Sequence, residues 1–66
     1  MRTTFINKDG KEIHVIKAWV SVELGAKVII NGTLFKIIDI VSDLDHGTID
    51  RDYYDFDTTI TIERIK

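Results

Sequence analysis

Three Asp-x-Asp doublets near the carboxyl end are the residues of this chain whose type and spacing point most directly to chemistry. They are Asp43–Asp45, Asp50–Asp52 and Asp55–Asp57. Side chains along an extended chain alternate sides with a period of two residues, so each doublet would direct both carboxylates to the same side. Carboxylates held this close repel each other. A divalent cation, a basic partner or water can offset that repulsion.

Aromatic side chains lie among these aspartates, and this combination suits protein binding. Fixed negative charge with aromatic anchors can dock on a lysine- or arginine-rich surface, including a groove that otherwise holds phosphates. Tyrosine is also enriched at interface hot spots. A solvated loop, with aspartates for solubility and tyrosines that close the fold, is the alternative for this segment. The residues predicted to contact a basic protein partner are Asp43, Asp45, Asp50, Asp52, Tyr53, Tyr54, Asp55 and Asp57.

The same aspartates are also candidates for binding a divalent cation or a small molecule. Residues 43–50 resemble a calcium loop loosely, with Gly47 correctly positioned. However, His46 stands where an EF-hand requires an oxygen ligand, and Tyr53 stands in the position of its last glutamate. A transition-metal site would require His14 and His46 to meet beside an aspartate. We therefore predict no metal ligands and no cofactor, and we keep cation or small-molecule binding as an alternative function.

The net charge of −2 hides a difference between the two halves of the chain. Residues 1–36 hold six bases and three acids, whereas residues 37–66 hold eight acids and three bases. The basic half, with Phe5 and Trp19, could bind single-stranded nucleic acid as some small barrels do. Because the whole chain is acidic, has few aromatics and scatters its bases over turns, nucleic acid is the weaker alternative partner.

The sequence lacks patterns typical of catalysis. Ser21 and Ser42 have no recognisable nucleophile context, and there is no glycine-rich loop for phosphate. Paired carboxylates can in principle perform acid–base chemistry on a sugar, but this requires a groove with apolar walls. A chain of 66 residues with 44% hydrophobic residues uses most of its apolar side chains in its own core. We predict a protein that is not an enzyme.

A first hairpin is predicted where β-branched and aromatic runs at 3–6 and 12–17 flank Asp9-Gly10. This dipeptide is expected to supply the positive φ angles of a tight reversal. Residues 18–25 should form a bent extended connection or one short turn closed by Gly25.

A second hairpin has the stronger signal, because Asn31-Gly32 favours a two-residue type I′ turn. The turn also predicts the register: Ile30 faces Thr33, Ile29 faces Leu34, Val28 faces Phe35 and Lys27 faces Lys36.

The last segment, residues 58–65, alternates Ile60 and Ile62 with polar residues and predicts a strand with one wet face. The predicted architecture is a single all-β domain over 1–66, with two hairpins and a C-terminal strand. Five short strands with glycine turns favour a small, partly open barrel of SH3-like or OB-like type. Residues 25–37 resemble the glycine, strand, turn, strand pattern of many SH3-like barrels, a resemblance that concerns the fold only.

The strand predicted at 33–41 carries apolar residues on both of its sides. Strict alternation groups Phe35, Ile37, Asp39 and Val41 on one side and leaves further apolar residues on the other. A homodimer or a second layer of the barrel could cover the second side. The alternative is a bend near Lys36 that changes which side is buried.

Cysteine usage and the amino terminus predict the compartment. The chain has no cysteine, which fits a reducing compartment, and no signal peptide or apolar run of membrane-spanning length. We predict a cytoplasmic protein without a membrane partner. Small size without catalytic motifs is typical of accessory proteins of bacteria and their phages, an association that does not follow from any single residue.

Overall fold

The computed structural model describes residues 2–43 and 57–65. Within them the chain forms five strands and no helix: β1 Arg2–Ile6, β2 Glu12–Ile16, β3 Lys27–Ile30, β4 Thr33–Asp43 and β5 Asp57–Arg64. The strands form one sheet in the order β2-β1-β5-β4-β3, which curls strongly into an open half-barrel. The prediction of a small, partly open, all-β barrel with two hairpins and a C-terminal strand is confirmed.

The turn of the first hairpin is organised by Asn7. Its side-chain oxygen accepts hydrogen bonds from the backbone N–H groups of Asp9 and Lys11, both at 2.9 Å. Gly10 has a φ of 87°, whereas Asp9 is not among the residues with positive φ. The turn therefore forms where the sequence predicts it, with the positive φ at Gly10 and not at Asp9. The two hydrogen bonds to the Asn7 side chain stabilise it.

The second hairpin has the predicted turn and the predicted register. Asn31 and Gly32 have φ values of 52° and 80°, as a type I′ turn requires at both central positions. β3 and β4 then pair antiparallel in the four predicted pairs, from Ile30 opposite Thr33 to Lys27 opposite Lys36.

The two hairpins are joined into one sheet through β5. This strand pairs antiparallel with β4 and parallel with β1, so the first and last strands of the chain lie side by side. In the parallel pair, Arg2 is opposite Asp57 and Phe5 is opposite Ile60. The centre of the sheet therefore depends on contacts between residues far apart in sequence.

The core fills the concave face of the sheet and is contributed by its three central strands. Ile60 and Ile62 of β5 are buried, whereas Thr59 and Thr61 are half-buried and Glu63 is exposed, as the alternation predicts. The buried apolar side chains are Phe5, Phe35, Ile37, Ile60 and Ile62.

An irregularity in β4 explains why this strand does not alternate cleanly. Its pairing with β5 shifts between Ile37 and Asp39, so that one extra residue is inserted. Ile37 is buried before the shift, Ile40 packs against the core after it, and Val41 is 55% exposed. Strict alternation grouped Val41 and Asp39 with Ile37, and this assignment was wrong because the bulge changes the phase of the strand.

The connection from β2 to β3 runs across one end of the half-barrel without a helix. The Thr3 hydroxyl donates a 2.7 Å hydrogen bond to the Ala18 carbonyl and fastens the start of the connection to β1. Near its end, the Ala26 N–H donates to the Glu23 carbonyl at 3.1 Å, and Gly25 has a φ of 87°. The predicted short turn at Gly25 is confirmed.

Candidate functional site

Two of the predicted partner-binding residues, Asp43 and Asp57, lie opposite each other at the end of the β4–β5 pair. They are Cα partners in the antiparallel ladder, and both side chains are exposed. Because directly opposite residues project to the same side of a sheet, the ladder brings two carboxylates together. The sequence placed Asp43 and Asp57 in different doublets, so this pair is a product of the fold.

Arg2 is the next residue across the sheet from Asp57, on the other side of the aspartate pair. The parallel register sets Arg2 opposite Asp57 at the start of β1. Arg2, Asp57 and Asp43 therefore form one row across three neighbouring strands, with one basic residue beside two acidic ones. The sheet thus positions one guanidinium and two carboxylates in the same row.

A layer of small hydroxyl side chains lies beside the acidic row, one residue further into the sheet. Thr3 and Thr58 are Cα partners in the parallel pair, and they are 0% and 4% exposed. The hydroxyls of Ser42 and Thr58 are 3.5 Å apart, and Thr3 donates to the connection. Thr3 and Thr58 are buried and Ser42 is exposed, so the layer reaches from the core to the surface at the strand ends from which Asp43 and Asp57 project.

The other predicted contact residues, Asp45, Asp50, Asp52, Tyr53, Tyr54 and Asp55, lie outside the described residues. The structure therefore brings together two of the eight predicted residues, from the two ends of the segment.

The opposite end of the sheet carries an ion pair between Lys8 and Glu63. The Lys8 Nζ atom lies 2.8 Å from a Glu63 carboxylate oxygen, and both side chains are exposed. The hydrogen bond and the charge of Glu63 raise the pKa of Lys8, and those of Lys8 lower the pKa of Glu63. One of the bases expected to contribute to a nucleic-acid surface is therefore engaged by an acid of the same chain.

No metal site assembles within residues 2–43 and 57–65, where no group of three His, Asp or Glu side chains could hold an ion. His14 lies beside Phe5 with ring centroids 6.3 Å apart. His46, the second histidine considered in the sequence, falls outside the described part of the chain.

Sequence reasoning missed an apolar cleft between the two edge strands. The residues that line it are Phe5, His14, Ile16, Val28, Ile29, Ile30 and Asn31. The local pattern marks these residues as parts of hairpins. It does not show that β2 and β3 face each other, because that follows from the order of strands in the curled sheet.

Comparison with protein-family models, with curated proteins and with solved structures finds no match to this chain. The described residues include no helix with the length and apolar character needed to cross a bilayer.

Proposed function

We propose that this protein is a non-catalytic binding module that docks on a basic surface of a partner protein through the acidic and aromatic segment 43–57. The observation that carries the proposal is the pairing of Asp43 with Asp57. The ladder places the first and the last of the predicted contact residues opposite each other at one end of the sheet.

Electrostatics supports a basic partner over an acidic one. Like charges that are directly opposite on neighbouring strands repel each other, and a lysine- or arginine-rich surface is attracted to them. Four further aspartates lie in sequence between Asp43 and Asp57, along with Tyr53, Tyr54 and Phe56. The charges increase the rate of encounter with a basic surface, and the aromatic side chains supply buried contact area.

The anionic character also defines a mode of action. A basic groove that normally binds nucleic-acid phosphates accepts regularly spaced carboxylates for the same electrostatic reason. Binding in such a groove would exclude the nucleic acid, so the protein would act as an inhibitor or phosphate mimic.

The proposal is tested by comparing two charge variants in a pull-down from the source cell, followed by titration of each captured protein. The first variant combines Asp50→Asn, Asp52→Asn, Asp55→Asn and Asp57→Asn. The second combines Asp9→Asn, Glu12→Gln, Glu23→Gln and Asp39→Asn, which remove the same number of charges elsewhere.

We expect the first variant to lose partners that the second retains. The retained binding should weaken steeply with salt, because close charge pairs are screened. Equal recovery of the same proteins by both variants, with matching affinities, would show that segment 43–57 is not the docking surface.

A further inference from the structure

The cleft between the edge strands has the shape and lining of a site for one extended peptide strand. It has a volume of about 300 Å³ and opens between β2 and β3, the first and last strands of the sheet order. Phe5 at its base is buried, and Ile16, Val28 and Ile30 on its walls are half-buried. Apolar walls with part of their surface exposed gain free energy when a ligand covers them.

Strand directions around the sheet show how a ligand strand can enter. β1 and β5 run parallel, whereas each of the other three pairs is antiparallel. β2 and β3 therefore run in opposite directions on the two sides of the cleft. A strand between them is antiparallel to one and parallel to the other.

β3 is the better edge for antiparallel addition. Within the described residues no strand pairs with its outer side, and three of its four residues are apolar. β2 carries Glu12 and His14, and its pairing with β1 is irregular between Phe5 and Ile6. A bulge on an edge hinders strand addition, so β2 is protected in a way that β3 is not.

The hydrogen bonds of the second hairpin identify which backbone groups of β3 face the cleft. In an antiparallel ladder, hydrogen-bonded and non-hydrogen-bonded pairs alternate, and a two-residue turn is closed by a hydrogen-bonded pair. Ile30 and Val28 therefore bond to β4. The Ile37 N–H donates to the Ala26 carbonyl at 2.8 Å, which confirms this phase. The N–H and C=O groups of Ile29 are directed to the open side.

The outward direction of the Ile29 N–H and C=O groups determines which residues of a ligand strand face the cleft. A strand paired antiparallel with Ile29 has its two neighbouring side chains opposite Ile30 and Val28, on the cleft side. The residue that follows them is opposite Lys27, which is exposed. Lys17 directly follows β2 at this same end of the cleft and is also exposed. An acidic residue there meets positive charge from both sides.

We infer that the cleft binds an extended peptide of a partner protein with the pattern apolar, any residue, apolar, acidic, added antiparallel to β3. The backbone of Ile29 supplies the hydrogen bonds, the two apolar side chains enter the cleft, and the acidic residue pairs with Lys27. This site lies on the edges of the sheet, so it does not depend on the acidic segment 43–57 or on its partner.

The test uses fluorescence anisotropy of a labelled peptide, acetyl-Ser-Thr-Val-Thr-Val-Glu-Ser-amide, with the intact chain. Ile29→Pro removes the outward N–H, and proline is tolerated where an edge strand directs its N–H away from the ladder. Val41→Ala is the control, because the Val41 side chain is 55% exposed and lies on β4, outside the residues that line the cleft. We expect Val41→Ala to keep the wild-type affinity and Ile29→Pro to lose about tenfold or more.

Two altered peptides repeat the test without changing the protein fold. Replacing Glu by Lys should weaken binding to the wild-type chain roughly threefold to tenfold, because attraction to Lys27 becomes repulsion. Methylating the backbone nitrogen of the Thr between the two valines should remove a hydrogen bond to the Ile29 carbonyl and weaken binding by a similar factor.

Three results would overturn the inference. One is no binding of the unmodified peptide at millimolar concentration. The second is equal binding of the parent and the two altered peptides. The third is a wild-type dimer in sedimentation that Ile29→Pro converts to monomer without any peptide binding, which would assign the β3 edge to a second copy of this chain.

Discussion

Ile60 on the central strand β5 and Ile29 on the edge strand β3 are the same residue type in the same kind of secondary structure, yet their exposures are 0% and 70%. Ile60 faces the core between β1 and β4, whereas Ile29 lies on the convex face beside an open edge. The difference shows that position in the sheet decides what an apolar residue does. The central strands hold the fold together, whereas the edge strands leave apolar side chains such as Ile29 exposed.

Truncating each of the two isoleucines to alanine should give the largest difference in stability between the centre and the edge of the sheet. Ile60→Ala should lower the free energy of unfolding by about 2–5 kcal/mol, because it leaves a cavity in a closely packed site. Ile29→Ala should change it by about 0.5 kcal/mol or less. Urea denaturation of both variants measures the two values, and similar losses would contradict the division between centre and edge.

A substitution in the turn between β3 and β4 should have the next largest effect on the free energy of unfolding. Gly32→Ala should lower the free energy of unfolding by about 1–2 kcal/mol, because an L-residue is strained at a φ of 80°. An added Cβ meets no atom within 4 Å, so the cost is in the backbone alone. A synthetic chain with D-alanine at this position should keep wild-type stability. Equal losses for L- and D-alanine would contradict the turn geometry.

The hydroxyl layer beside the acidic row should give a smaller effect. Thr3→Val keeps the shape of a fully buried side chain but removes its hydrogen bond to Ala18, so we expect a loss of about 1 kcal/mol. Thr61→Val, on the opposite face of the sheet, is the control and should be nearly neutral. Thermal unfolding of both variants at one pH compares their stabilities. If Thr3→Val is as stable as the wild type, the hydrogen bond to Ala18 does not hold the connection.

The Lys8–Glu63 ion pair should give the smallest effect, because both groups are exposed. The pKa of Glu63 is lowered in the folded chain, so the pair stabilises the fold above the ordinary pKa of a glutamate. This contribution is lost as the pH falls through the lowered pKa. The stability difference between the wild type and Glu63→Gln should therefore be present at neutral pH and shrink in acid. Urea denaturation of both proteins at several pH values measures this difference. A stability difference that grows as the pH falls would contradict the ion pair.

Sequence reasoning reached the parts of the fold that local chemistry determines. Asn31-Gly32 predicted a turn type and thereby a register, because both central residues must adopt positive φ. The alternation in β5 predicted which face Ile60 and Ile62 occupy, since nothing interrupts that strand. These features follow patterns of residues adjacent in sequence, so a local pattern is enough to predict them.

The features that sequence reasoning missed depend on distant pairing. The parallel contact between β1 and β5 joins residues at opposite ends of the chain, and no local pattern specifies it. The bulge after Ile37 exists only relative to β5, so the exposure of Val41 could not be inferred from β4 alone. For the same reason the candidate site was predicted as a run of doublets, whereas the fold pairs Asp43 with Asp57.

The position of β1 between β2 and β5 has a consequence for folding kinetics. β5 is the last strand in sequence and contacts both β1 and β4, so the middle of the sheet stays incomplete until the end of the chain is available. During synthesis on the ribosome, the two hairpins can form early, but each leaves apolar surface uncovered. We expect docking of β5 to limit the folding rate, since it closes the longest loop in the chain.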